Sequence, residues 1–125
     1  MKCKQLQSLI YYGECNKIEF KQIPCEGMYK TICAFLNTYG GNLLVGVDDN
    51  GQITGYKPSK RDIEMYCEAI SSWSDACIQD EVIRVGLRSV WVIQIESIFV
   101  QKPHASVVTW KGDTYVRIGN STRRV

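Results

Sequence analysis

The chain has 125 residues, 45% of them hydrophobic, and a formal net charge of +2. That length fills one core and is too short for two ordinary domains, so a single domain over residues 1–125 is expected. A charge this small does not point to nucleic acid by itself, and no apolar run approaches the roughly 18 residues of a membrane-spanning helix; runs such as Leu43 to Val47 and Val90 to Ile93 are far shorter.

The start, Met1-Lys2-Cys3-Lys4-Gln5-Leu6-Gln7, leads into no sustained apolar stretch or small-residue cleavage site. No secretory signal is read there, and the expected location is the cytoplasm. Six cysteines, at positions 3, 15, 25, 33, 67 and 77, are therefore expected as thiols rather than disulfides. No Cys-x-x-Cys occurs and His104 is the single histidine, so a structural zinc site lacks its paired ligands.

Lys17 to Ile23 alternates, Ile18 and Phe20 on one side and Lys17, Glu19 and Lys21 on the other, which predicts a half-buried strand ended by Pro24. Met28, Ile32, Phe35 and Leu36 then recur at helical spacing, giving a helix of about three turns. Asn37-Thr38-Tyr39-Gly40-Gly41 stops it through glycines free to turn sharply. Leu43 to Val47 is apolar on both alternating faces, as a central strand covered on both sides should be.

Asp49-Asn50-Gly51 predicts a hairpin turn with Gln52 to Tyr56 returning as a strand. After Lys57-Pro58-Ser59, Ile63, Tyr66, Cys67 and Ile70 predict a second helix capped by Ser59. Val82 to Leu87, Val90 to Ile95, Val107 to Trp110 and Thr114 to Ile118 are expected as further strands. The order is α+β, with a mixed, mainly antiparallel sheet carrying two principal helices.

Three acids stand near glycine-rich turns: Glu14, Glu19 and Asp49. Clustered carboxylates stay ionised at close range only with something cationic between them, and a divalent metal holding a phosphate is the usual solution. Glu14 and Glu19 are five apart and converge only if the backbone bends at Gly13 or Asn16. Taken singly, Asp49 suits its turn, Glu19 a solvent face between Lys17 and Lys21, and Glu14 a loop. Lys111, Arg117, Arg123 and Arg124 gather toward the C-terminus, either as a nucleic-acid contact or as a solvated tail. No Gly-x-x-x-x-Gly-Lys-Ser/Thr phosphate loop is present.

Gly13-Glu14-x-x-x-x-Glu19-Phe20-Lys21, Ala34-Phe35-x-Asn37-Thr38-x-Gly40-Gly41, Gly46-Val47-x-Asp49 and Tyr115-Val116-Arg117-x-Gly119-Asn120-Ser121-Thr122, in this order and spacing, resemble the Schlafen AlbA-2 domain. The resemblance implies a metal-dependent endoribonuclease cutting structured RNA such as transfer RNA. Its three catalytic acids, ligands for Mg²⁺ or Mn²⁺, fall on Glu14, Glu19 and Asp49, with Asp48 as the neighbour if the alignment slips by one. Lys21 and Arg117 would then position phosphate oxygens, with Lys111, Arg123 and Arg124 as further nucleic-acid contacts. Asn37 is expected to tie down a loop, and Gly40 and Gly41 to serve backbone geometry.

The nuclease-active relatives carry two lobes, whereas this chain supplies one. A homodimer or a second Schlafen-like subunit would complete the clamp. The alternatives are a non-catalytic nucleic-acid-binding or regulatory module, acting on RNA or DNA, and, with less support, a divergent ATP-binding domain.

Overall fold

A computed structural model of the protein describes residues 1–68 and 77–125. A four-stranded sheet lies between helices on its two faces. In chain order the elements are α1 (Cys3–Tyr12), β1 (Ile18–Lys21), α2 (Gly27–Asn37), β2 (Gly41–Val45) and α3 (Lys60–Ile63), the last running into a π-helical turn, Glu64–Glu68. They continue with β3 (Ile78–Val85), β4 (Arg88–Ile95), α4 (Ile98–Gln101), β5 (Tyr115–Ile118) and β6 (Ser121–Arg124). Strand order is β1-β2-β4-β3, with β1 and β2 parallel and the other pairs antiparallel; β5 and β6 form a separate hairpin.

The pleat sorts β2 and β4 between two cores. Leu43, Val45, Trp91 and Ile93 pack with Met28, Ile32, Phe35 and Leu36 of α2 on one face. Leu44, Val90 and Val92 pack with Phe20 and with Leu6 of α1 on the other. Each such fully buried aliphatic side chain contributes about 1.5–3 kcal/mol of burial, so the doubly covered β2 is the rigid platform from which the neighbouring turns project.

α1 has no counterpart in the sequence expectations, although Leu6, Leu9 and Ile10 carry its helical spacing. The Lys2 amide donates to Gln5 Oε1 at 2.8 Å at its start, and the Gly13 amide to the Leu9 carbonyl at its end. β1 is shorter than expected, and β2 stops at Val45. Gly46, at φ +108°, turns the chain so closely that a Cβ there would lie 2.7 Å from the Tyr56 amide.

The same bend corrects the expected strand at Gln52 to Tyr56. Only Val47 and Ile53 bridge across the turn, because the Thr54 and Gly55 amides both converge on the Gly46 carbonyl rather than continuing a ladder. The second helix is capped by Ser59, whose Oγ accepts the Asp62 amide at 3.1 Å while Asp62 Oδ2 accepts the Ser59 amide at 2.9 Å. Ile70, its last expected apolar position, lies outside the described residues.

Val107 to Trp110 is also not a strand. Asn37 binds Val108 through both backbone groups, and Trp110 pairs only with Asp113 across a tight turn. Conversely, Ser121–Arg124 is a strand, joined to β5 by the two-residue turn Gly119-Asn120. No helix among the described residues is long and apolar enough to cross a membrane.

Gly40 and Gly41 serve backbone geometry, as expected. At φ +73°, Gly40 leads from α2 into β2 where a Cβ would meet the Ile95 carbonyl oxygen at 2.5 Å. At Gly41 a Cβ would fall 2.7 Å from both the Lys17 carbonyl oxygen and the Phe35 ring.

Candidate functional site

Cys15 and Ile18 bridge in antiparallel fashion across Asn16 and Lys17, so the chain doubles back between Glu14 and Glu19. This reversal overcomes their five-residue separation. The Phe20 amide donates to Glu14 Oε1 at 2.9 Å, fixing the first carboxylate against the start of β1. Asp48 and Asp49 follow β2, the parallel neighbour of β1. Asp48 Oδ1 accepts the Asn50 and Gln52 amides, each at 2.9 Å, and so holds the turn. Asp49 is exposed.

Burial raises the Glu14 carboxyl above its ordinary value of 4.5; the Phe20 amide opposes that rise, the charges of Glu19 and Asp49 add to it, and Arg117 lowers it. The three acids therefore share one electrostatic neighbourhood, with Asp49 rather than the turn-bound Asp48 as its third member. Folding holds the Glu14 proton more tightly than the unfolded chain does. Its contribution to stability is thus greatest in acid and declines as pH rises from 4.5 through the raised value. Glu14→Gln keeps an acceptor for the Phe20 amide and removes the charge. We expect it to be more stable than the parent at neutral pH and to lose this decline, measured by urea denaturation at stepped pH; an unchanged slope would refute the assignment.

The cation beside these acids belongs to the protein. Arg117, on β5 with a side chain only 1% exposed, places Nη2 2.9 Å from Glu19 Oε1. Its remaining donors bind the Cys15 and Ile18 carbonyls and Thr122 Oγ1, and the guanidinium lies 5.1 Å from the Phe35 ring centre. The group expected to position phosphate is shielded from solvent in this arrangement. It instead clamps the 15–18 turn to the β5–β6 hairpin. Lys21 Nζ lies 3.5 Å from Glu19 Oε2, so each oxygen of that carboxylate has a cationic partner.

Hard carboxylate oxygens suit Mg²⁺ or Mn²⁺ in kind. The arrangement does not suit a three-carboxylate centre, because Glu19 is held by Arg117 and Lys21 and Glu14 by Phe20. Among the described residues no group of three or more acid, histidine or cysteine side chains is placed to hold a metal ion.

The other expected contacts lie around α2 and the hairpin. Lys111 Nζ is 3.0 Å from Glu26 Oε1 and 4.7 Å from the Trp110 ring centre. Lys30, which sequence reasoning missed, places its ammonium 5.9 Å from the same ring. Tyr29 stacks on Trp110 at 5.7 Å and 9°. Arg124 lies 3.8 Å from Asp113, and Arg123 is exposed on β6. His104 is exposed in the loop after α4.

Residues 14–125 match the profile of the Schlafen, AlbA_2 family. The chain belongs to that family. The match takes in every element of the Schlafen AlbA_2 domain except α1. Among solved structures, this domain is similar to the DIP2311 protein from Corynebacterium diphtheriae, at 18% identity and a TM-score of 0.66 over 98% of this chain. It spans only 30% of that protein's chain. It is also similar to the N-terminal domain of an ATP-dependent DNA helicase RecG-related protein from Nitrosomonas europaea, at 24% identity and a TM-score of 0.52, covering 100% of this chain and 94% of that one. At these identities the likeness concerns the fold.

Proposed function

We propose that this Schlafen AlbA_2 domain is a nucleic-acid-binding module, with RNA as its first candidate partner and DNA as the comparator. The observation that carries the reading is the pair of ammonium groups, Lys30 and Lys111, over the single indole of Trp110. Lys21 continues this surface, its Nζ 3.9 Å from where a Gly27 Cβ would stand, beside the Glu26 that Lys111 contacts. Arg124 extends it through Asp113, which bridges to Trp110, and exposed Arg123 adds a further cation. Ammonium and guanidinium groups neutralise successive phosphates. The helicase-related neighbour supports the same class of partner by its name.

A second reading, metal-dependent endoribonuclease action on structured RNA such as transfer RNA, is favoured by one observation: after burial, the charges of Glu19 and Asp49 also push the Glu14 carboxyl above its ordinary value, a repulsion that a divalent cation would relieve. It requires Glu19 to leave Arg117 and Lys21, and a homodimer or second Schlafen-like subunit to supply the other lobe.

Fluorescence anisotropy with labelled transfer RNA and duplex DNA tests the first reading. The Lys30→Gln/Lys111→Gln double variant should bind more weakly and reduce the slope of log affinity against log salt by about 1–2, the loss of two phosphate contacts. Unchanged affinity and slope would overturn it. Incubating the same RNA with Mn²⁺ or Mg²⁺, with chelator as control, tests the second. Cutting abolished by Asp49→Asn supports it, and no cutting, or cutting indifferent to this exposed substitution, counts against it.

A further inference from the structure

The carboxylate neighbourhood has a cavity beside it. A space of about 550 Å³ opens between α1, which contributes Gln7, Ile10 and Tyr11, and the turn from Asn50 to Ile53. Gly51 stands against α1: a Cβ there would lie 3.6 Å from Ile10 Cγ2, an ordinary van der Waals contact. The lining holds no charged side chain. It presents the amides of Gln7, Asn50 and Gln52, two isoleucines, and the ring of Tyr11, which is 94% exposed at the rim.

Three amides provide donors and acceptors together, the pairing that the edge of a heterocyclic base requires. Isoleucine walls and a free tyrosine face suit its flat, uncharged surface, and the volume lies within the range of small-molecule sites. A phosphate or a charged peptide would find no counter-ion there.

We infer that the α1–turn cavity receives one unstacked base of a single-stranded nucleic acid. A base inside a duplex is not available to it, so the domain engages loops, ends or unpaired stretches. This assignment rests on the nucleic-acid reading above and adds to it the class of substrate and the point of base contact.

The test uses a fluorescein-labelled, unstructured RNA of about 12 nucleotides, within the span such surfaces occupy, and a matched abasic strand that keeps the phosphates. The parent protein should bind the base-bearing strand more tightly. Tyr11→Ala, at a helix position where the side chain is solvent-exposed, should weaken that binding about fivefold or more, the loss of one stacking contact, and should narrow the gap to the abasic strand. Tyr12→Ala, outside the cavity lining, should leave both unchanged. If Tyr11→Ala binds as the parent does while Lys30→Gln/Lys111→Gln loses affinity, the cavity assignment fails and the nucleic-acid reading stands. If the parent binds neither strand nor transfer RNA, both fail.

Discussion

Arg117→Leu is expected to lower the unfolding free energy by about 3–5 kcal/mol, the usual cost of removing one partner of a buried ion pair. The guanidinium is 1% exposed and Glu19 13%, so the carboxylate left behind would be shielded from water with only the 3.5 Å contact to Lys21. The Cys15 and Ile18 carbonyls would lose their shared donor at the same time. For a domain of this size the change is a large share of total stability and should lower the melting temperature by about 10 °C or more. Urea denaturation provides the measurement.

The double variant Arg117→Leu/Glu19→Leu should recover part of the loss, since no unpaired carboxylate remains. A single variant within about 1 kcal/mol of the parent, the range of an exposed pair, would show that the clamp contributes little. The same experiment bears on the metal question. If the clamp is as strong as its geometry indicates, Glu19 is not readily released to a cation.

Asn37→Leu should cost about 2–4 kcal/mol, because it leaves several buried backbone groups without partners. Asn37 is 7% exposed, and its Nδ2 donates to the Val108 and Tyr115 carbonyls, each at 2.9 Å, while Oδ1 accepts the Val108 amide at 2.8 Å. These bonds hold an otherwise irregular segment against α2. The loss should therefore be local: faster hydrogen exchange and easier proteolysis between Lys102 and Asp113, with the β2 and β4 amides still protected. Uniformly accelerated exchange would instead mean that Asn37 supports the whole core.

Asn37 was legible from its motif as a loop anchor, and the three-turn helix around Met28, Ile32, Phe35 and Leu36 from its spacing. The central strand was legible because Leu43, Leu44 and Val45 are apolar in succession, and both of its faces are covered. The strand expected at Val107 to Trp110 failed because a side chain some 70 residues away takes the backbone bonds a sheet partner would need. β6 was hidden by its polarity: Ser121, Thr122, Arg123 and Arg124 give no apolar alternation, and the signal lay in the preceding Gly119-Asn120 turn. α1 was overlooked although its periodicity is present in Leu6, Leu9 and Ile10.

Glu14, Glu19 and Asp49 illustrate the same division. Sequence by itself determined that acids of this kind stand at a turn, a strand and a hairpin end, that the chain alternates and coils as an α+β domain, and that four ordered motifs mark a Schlafen AlbA_2 domain. Those properties are local, set by side-chain period, turn chemistry and residue order. Only the tertiary structure decided which cation meets Glu19, that Asp48 is consumed by its turn while Asp49 remains exposed, and that a cavity opens between α1 and the 50–53 turn. A contact between residues 19 and 117 leaves no trace in local periodicity, because it exists only where β5 is brought against α2 and the start of β1.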